Sequence, residues 1–272
     1  MIFIDAKGAK IPAVGLGTWE MRGRACARVV EQALRLGYRH IDTAEMYDNE
    51  REVGEGLHAS GVKRKDVWVT TKVWQSHLSP HDLERSTKES LARMRLTEVD
   101  LLLIHWPNPQ IPLAETIGAL CKMKSVGYAR HIGVSNFTVP LLKEAAALAT
   151  EPLVTNQIEW HPYLDQSAVV AQTRRLGMAV TAYSPIARGR AAGDATLKAI
   201  GATHKKSAGQ VCLRFLIQEG AAVIPRTSKV ERLTENLSIF DFELSAAEMA
   251  QIRKLAQPSG RIVDWGGAPK WD

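Results

Sequence analysis

Eight short apolar runs alternate with longer stretches of helical periodicity along this chain, and that alternation restricts the folds open to it. The runs cover residues 13–16, 39–41, 67–71, 99–104, 131–134, 153–158, 178–182 and 222–224. Between them, 26–36 places Cys26, Val29, Val30, Ala33 and Leu34 on one face, and 208–218 repeats Ala208, Val211, Cys212, Phe215 and Leu216 at a helical period. Residues 80–94 open with Ser79, Pro80 and Asp82: an N-cap, a first-turn proline and the acidic partner of a capping box. Ser245 with Glu248 opens a further helix near the C-terminus. Strands separated by helices run parallel, because a crossover must return the chain to the same end of the sheet. A closed (β/α)8 barrel and an open doubly wound sheet both accept this pattern.

Polar residues decide between the two. Asp42, Lys72, His105, Ser135 with Asn136, Gln157, Ser184 and Arg226 stand where the runs end. A barrel gathers every strand C-terminus at one face, so these side chains would converge, whereas an open sheet would string them along an edge. The expectation is an α/β protein: a single (β/α)8 TIM barrel of eight parallel strands spanning 1–272, with its active site at the C-terminal face.

Hydrophobic residues make up 45% of the 272 and charged residues 24%, which excludes a disordered chain. A core of the size this length allows needs no disulfide or metal staple. Cys26, Cys121 and Cys212 lie far apart without a CxxC pair, so a reducing, cytoplasmic compartment is expected. Residues 1–5 lack a basic region leading into an apolar segment, and the densest apolar run, 101–104, is too short to span a bilayer, so no signal peptide and no membrane partner are expected. The net charge of +6 is mild and spread along the chain, which suits an anionic small ligand better than nucleic acid. With no large apolar helix face left over, a monomer is the default.

Gly54-Glu-Gly56-Leu-His-Ala59 matches the G-x-G-x-x-A phosphate fingerprint. No strand precedes it and the next strand ends in Lys72 rather than an acid, so it reads as a small-residue helix packed closely on its neighbours. No histidine spacing of the zinc type occurs, and no metal is expected.

Three titratable residues at successive strand ends, Asp42, Lys72 and His105, with Tyr47 in the loop five residues after Asp42, suggest a chemistry. A tyrosine with a pKa near 10 is a poor acid at neutral pH, and an ammonium beside it should lower that value. Lys72 could serve Tyr47 in this way, Asp42 would keep the lysine charged, and His105 could orient a substrate oxygen. Such a pocket polarises a carbonyl and gives it a proton. No side chain supplies hydride, so a nicotinamide cofactor is implied. Its anionic end could lie past the last run, where Ser228 and Glu231 form a capping box and Arg226, Lys229 and Arg232 surround a helix start. That cluster suits a phosphate monoester such as the 2′-phosphate of NADP.

Gly37-Tyr-Arg-His-Ile-Asp42-Thr-Ala-Glu-Met-Tyr47-Asp-Asn-Glu50 resembles the first signature of the aldo-keto reductases. Leu103-Ile-His105-Trp-Pro107, Ile132-Gly-Val-Ser135-Asn136-Phe, Asn156-Gln157-Ile-Glu-Trp-His-Pro162 and Val223-Ile-Pro225-Arg226-Thr-Ser228 with Glu235-Asn236 resemble further blocks, in order, over most of the chain. Within the family the chain is similar to bacterial 2,5-diketo-D-gluconate and methylglyoxal reductases. The resemblance implies that Asp42, Tyr47, Lys72 and His105 form the catalytic tetrad, with Tyr47 the acid. It places Ser135, Asn136 and Gln157 at the nicotinamide carboxamide and Tyr183 against the ring. Gly17 and Thr18 would line the cofactor channel, with Ser184 and Ile186 near the pyrophosphate. Arg226, Thr227, Ser228 and Arg232 would take the 2′-phosphate, and Glu235 and Asn236 the adenine end. Trp19, Tyr47, Trp74, His105 and Trp106 would form the substrate pocket. Arg226 departs from the lysine usual at its position, and the connection 108–112 is short.

The function implied is NADPH-dependent reduction of small aldehydes, α-ketoaldehydes and diketo sugar acids. The alternatives are the same chemistry with NADH, or a near-inactive, cofactor-binding sensor barrel. Residues 258–272, rich in glycine, proline and tryptophan, should form an irregular tail across the barrel mouth.

Overall fold

The structure, a computed structural model, describes residues 2–272; Met1, part of the N-terminal segment read above, lies outside the described residues. A hairpin comes first, β1 (Phe3–Ala6) and β2 (Ala9–Pro12), antiparallel through Ala6 and Ala9. Its turn residues Lys7 and Gly8 have φ of +47° and +85°. Left-handed backbone at both positions matches the twist of a two-residue hairpin. The sequence expectation omitted this hairpin, because the strands are short and only a lone X-Gly pair announces the turn.

Eight parallel strands follow: β3 (Leu16–Gly17), β4 (His40–Asp42), β5 (Trp68–Val73), β6 (Val99–Ile104), β7 (Ala129–Ser135), β8 (Leu153–Glu159), β9 (Ala179–Tyr183) and β10 (Ala221–Val223). Each pairs in parallel with the next. Parallel bridges Val14–Val223 and Gly17–Arg226 join the last strand to the first, with Gly15 N–H donating to Val223 O at 2.8 Å and Gly17 N–H to Pro225 O at 3.1 Å. The sheet is thus a closed barrel, as expected. The helices lie between and after the strands: α1 (Gly23–Arg35), α2 (Glu50–Ala59), α3 (Pro80–Met94), α4 (Leu113–Ser125), α5 (Val139–Leu148), α6 (Ser167–Arg175), α7 (Ala195–His204), α8 (Ala208–Gln218), α9 (Val230–Leu237) and α10 (Ala246–Arg253).

β6 shows why its sequence is an unbroken apolar run. Leu102 and Ile104 pack into the layer shared with the helices, while Leu101 and Leu103 pack inside with Ala6, Ala9 and Ile11 of the hairpin. A strand covered on both faces has no polar face to alternate with. The hairpin therefore closes the barrel end opposite the strand C-termini.

Gly54 and Gly56 lie on α2, not in a phosphate loop. A Cβ on Gly54 would come within 2.5 Å of Met94 O, and one on Gly56 within 2.5 Å of Ala27 O, so both glycines let α2 approach α3 and α1. Ser79 caps α3 as expected, but the Asp82 carboxylate accepts the Ser79 hydroxyl (2.7 Å). Ser245 and Glu248 form the full capping box of α10. The box read at Ser228 and Glu231 is not formed. Lys229 is the N-cap of α9 without a side-chain bond, and the Thr227 hydroxyl turns the chain by accepting Lys229 N–H at 3.0 Å.

Candidate active site

Asp42, Lys72, Ser135 and Gln157 lie within the strand ends rather than beyond them. They can stand buried because their side chains find partners: Asp42 with Lys72 and Gln157, and Ser135 with Asn136. Lys72, fully buried, donates from Nζ to Asp42 Oδ1 at 2.5 Å, to Thr43 O at 2.8 Å and to Tyr47 Oη at 3.3 Å. Its three ammonium protons are thus matched by three oxygens. The other carboxylate oxygen of Asp42 accepts Gln157 Nε2 at 2.7 Å. Burial works to neutralise Lys72, but Asp42, Tyr47 and their hydrogen bonds outweigh it and hold the ammonium above its ordinary pKa.

The Tyr47 phenol departs from the expectation. Burial pushes it above its ordinary value, and the pull of Lys72 in the other direction does not overcome that. The phenol therefore keeps its proton at neutral pH. Burial and then the Lys72 charge hold His105 well below the usual histidine range, so its ring is neutral. The ring stands edge-on to Tyr47 (centroids 5.5 Å apart) and Trp74 (5.2 Å), and its Nδ1 has no hydrogen-bond partner among the described residues.

Two residues of the first motif fix this arrangement without having been singled out from the sequence. Asn49, buried, donates to Thr18 O (2.8 Å) and Met21 O (2.9 Å) and accepts the Thr43 hydroxyl (2.8 Å), tying the loop after β3 to the loop after β4. Glu45 accepts Trp74 N–H at 3.0 Å and the Ser86 hydroxyl at 2.7 Å, which sets Trp74 beside the tetrad.

A cleft of about 660 Å³ opens above these groups at the C-terminal face. Gly17, Thr18, Ser135, Asn136, Gln157, Tyr183, Ser184 and Ile186 line it, as do Arg226 and Arg232. Both protons of Asn136 Nδ2 are used, on His105 O (2.9 Å) and Ser135 Oγ (3.0 Å), and its Oδ1 accepts the Tyr183 hydroxyl at 2.8 Å. Asn136 and Ser184 hold left-handed φ of +63° and +49°, an uncommon backbone for such residues that recurs at functional sites.

Other assigned residues fall elsewhere. Thr227, Ser228, Glu235 and Asn236 do not line the cleft. Glu235 accepts the Ser207 hydroxyl, linking α9 to the start of α8, and Asn236 is buried. Arg226 lines the cleft but donates from Nε to Trp19 O (3.1 Å) and from Nη2 to Glu20 O (3.4 Å), so part of its guanidinium is already engaged. Arg188, not singled out from the sequence, lies over the Trp19 ring at 4.7 Å and also lines the cleft. Its place after β9, next to Gly189, was the available signal.

Trp19, Trp74 and Trp106 form aromatic walls, and the tail meets two of them, Trp74 and Trp106. Trp265 stacks on Trp74 with centroids 5.6 Å apart and planes 19° apart, and stands edge-on to Trp106. No helix or strand forms beyond Arg253. Gly260 is where the tail passes Tyr163: a Cβ there would overlap Tyr163 O.

The sequence profile of the aldo/keto reductase family matches residues 13–257. A methylglyoxal reductase DkgB of Escherichia coli O157:H7 is 42% identical over 265 residues, covering 96% of this chain and 99% of that protein. Morphine 6-dehydrogenase of Pseudomonas putida is 38% identical, covering 91% and 88%. Among solved structures, a candidate 2,5-diketo-D-gluconic acid reductase B superposes with a TM-score of 0.98 at 48% identity, covering 100% and 98%. A Bombyx mori aldo-keto reductase in complex with NADP gives 0.90 at 34%, covering 96% and 94%. The chain belongs to the aldo/keto reductase family. It is an oxidoreductase acting on carbonyl groups.

Proposed function

We propose that this protein reduces small aldehydes and α-dicarbonyls with NADPH, and that Tyr47 gives the proton. The observation that carries the reading is Lys72, bonded to both Asp42 and Tyr47, which line an aromatic-walled cleft. A phenol kept protonated by burial has a proton to give, and the adjacent ammonium stabilises the phenolate as that proton leaves. Neutral His105 turns a ring edge toward the same point and fixes the carbonyl oxygen. A nicotinamide held in the cleft would supply the hydride.

The donor set fits such a cofactor. With both Asn136 protons spent, the Ser135 hydroxyl would be left to donate to a carboxamide oxygen, while Gln157 and Asn136 would offer acceptor oxygens to its N–H groups. Arg226 and Arg232, both lining the cleft, provide for anionic oxygens. The bonds from Arg226 to Trp19 and Glu20 favour a second reading, in which the 2′-phosphate is gripped loosely and NADH also serves.

A panel of carbonyls run with each cofactor, followed by loss of nicotinamide absorbance, tests both readings. Turnover of methylglyoxal with NADPH is expected. No turnover of any aldehyde or dicarbonyl would overturn the proposal, and equal kcat/KM with both cofactors would establish the second reading.

A further inference from the structure

We infer that Glu159 is the positioning residue of the aromatic lid: a buried carboxylate that grips the tail backbone and so holds Trp265 over the cleft. This deepens the proposed function, since it rests on the cleft being the carbonyl site.

Glu159 ends β8, two residues beyond Gln157 and therefore on the same inward face. One strand thus carries the side chain that touches Asp42 and, a step nearer the mouth, the side chain that meets the tail. Glu159 is fully buried. Its Oε1 accepts Ile262 N–H at 2.7 Å and lies 2.9 Å from His161 Nε2, and its Oε2 accepts Val263 N–H at 2.8 Å. A carboxylate taken out of water needs such partners, and two of the three come from the tail. The dependence is mutual, because the tail has no ladder of its own to satisfy those N–H groups. Two residues beyond Val263, Trp265 stacks on Trp74 and meets the edge of Trp106. Past it, the Trp271 ring lies 3.5 Å under the guanidinium of Arg261, which precedes the Glu159 contacts, and Asp272 accepts Val139 N–H at 2.9 Å at the start of α5. The lid is therefore held at two points, Glu159 before Trp265 and α5 after it. Glu159 itself does not line the cleft, so it acts on substrate through the tail.

The test uses Glu159→Gln, which keeps shape but replaces one acceptor oxygen with an NH2 that opposes a tail N–H. The expected result is a rise of about tenfold in KM for methylglyoxal, with kcat and NADPH affinity changed less than about twofold. In the ligand-free protein, the exciton couplet of the stacked Trp74 and Trp265 rings should disappear from the circular dichroism spectrum. Ile262→Pro removes one donor while leaving Glu159 intact, should give the same two effects, and carries the test alone if the first variant does not fold. In the double variant Glu159→Gln with Trp265→Ala, KM should be no higher than in Trp265→Ala alone. An unchanged couplet, an unchanged KM, or additive rises in the double variant would each overturn the inference. A wild-type protein inactive toward all carbonyls would instead sink the proposed function, and the couplet would still decide whether Glu159 holds the lid.

Discussion

Replacing Tyr47 with phenylalanine removes the hydroxyl that Lys72 reaches at 3.3 Å and leaves the ring against His105. We expect kcat to fall at least ~100-fold, the lower end of acid–base contributions, with NADPH affinity unchanged because the phenol is no phosphate ligand; stopped-flow and fluorescence titration would show this, and retained turnover would remove Tyr47 from its role. Because the Tyr47 value is raised and that of His105 is lowered, the protonated phenol and neutral imidazole coexist from below about pH 6.5 to above about pH 10. Arg232→Ala should weaken NADPH binding about tenfold, from one lost charge-assisted bond of about 1.5 kcal/mol, and leave NADH within twofold. Equal losses, measured by titration, would show that Arg232 does not read the 2′-phosphate. Asp42, Lys72 and His105 were legible as a cluster because titratable side chains at the ends of apolar strands demand partners, and Tyr47, in the turn after β4, because it shares a motif with Asp42. The bond from Gln157 to Asp42 and those from Arg226 to the Trp19 and Glu20 carbonyls were not, since they depend on contacts 115, 207 and 206 residues apart.

Among the elements, helices with an apolar face and side-chain caps were read correctly, because period and cap chemistry are local. The hairpin β1–β2 escaped: what makes it a plug is Ile11 meeting Leu101 and Leu103 across the barrel floor, and no local pattern records that meeting. The box at Ser228 failed for the opposite reason, because a local pattern was present and the neighbouring Thr227 hydroxyl took the turn instead. Two glycines of different meaning test how helices pack. Gly54→Ala places a methyl 2.5 Å from Met94 O, so overpacking of about 1–3 kcal/mol should outweigh a helix-propensity gain of about 1 kcal/mol. Gly118 on α4 has open space around its Cβ position, and Gly118→Ala should stabilise by about 0.5–1 kcal/mol. Denaturant midpoints would show the first falling and the second rising; a Gly54→Ala midpoint that rose would refute the packing account of α2.

At the scale of the whole molecule, the tail joins parts of the chain that the barrel leaves apart. Truncation after Gly260 removes Trp265 and the α5 contact together. It should raise KM for small dicarbonyls while cofactor affinity stays nearly unchanged, and unaltered kinetics in a folded truncation would show that the tail does not cover substrate. The closing pair of strands has a consequence of another kind. Arg226 bridges Gly17 and bonds to the Trp19 carbonyl, so the residue proposed to meet the cofactor's phosphate also clasps the two ends of the barrel's circumference. A ligand held there binds only the shut hoop, and at a concentration one hundred times its dissociation constant that adds about 2.7 kcal/mol against opening. Deuterium exchange at the amides of Gly15, Gly17 and Val223 should slow accordingly when NADPH is present. In this barrel the fuel of the reaction would double as the fastener of the fold, and the lifetime of the closed ring in a cell would follow its supply of reduced nucleotide.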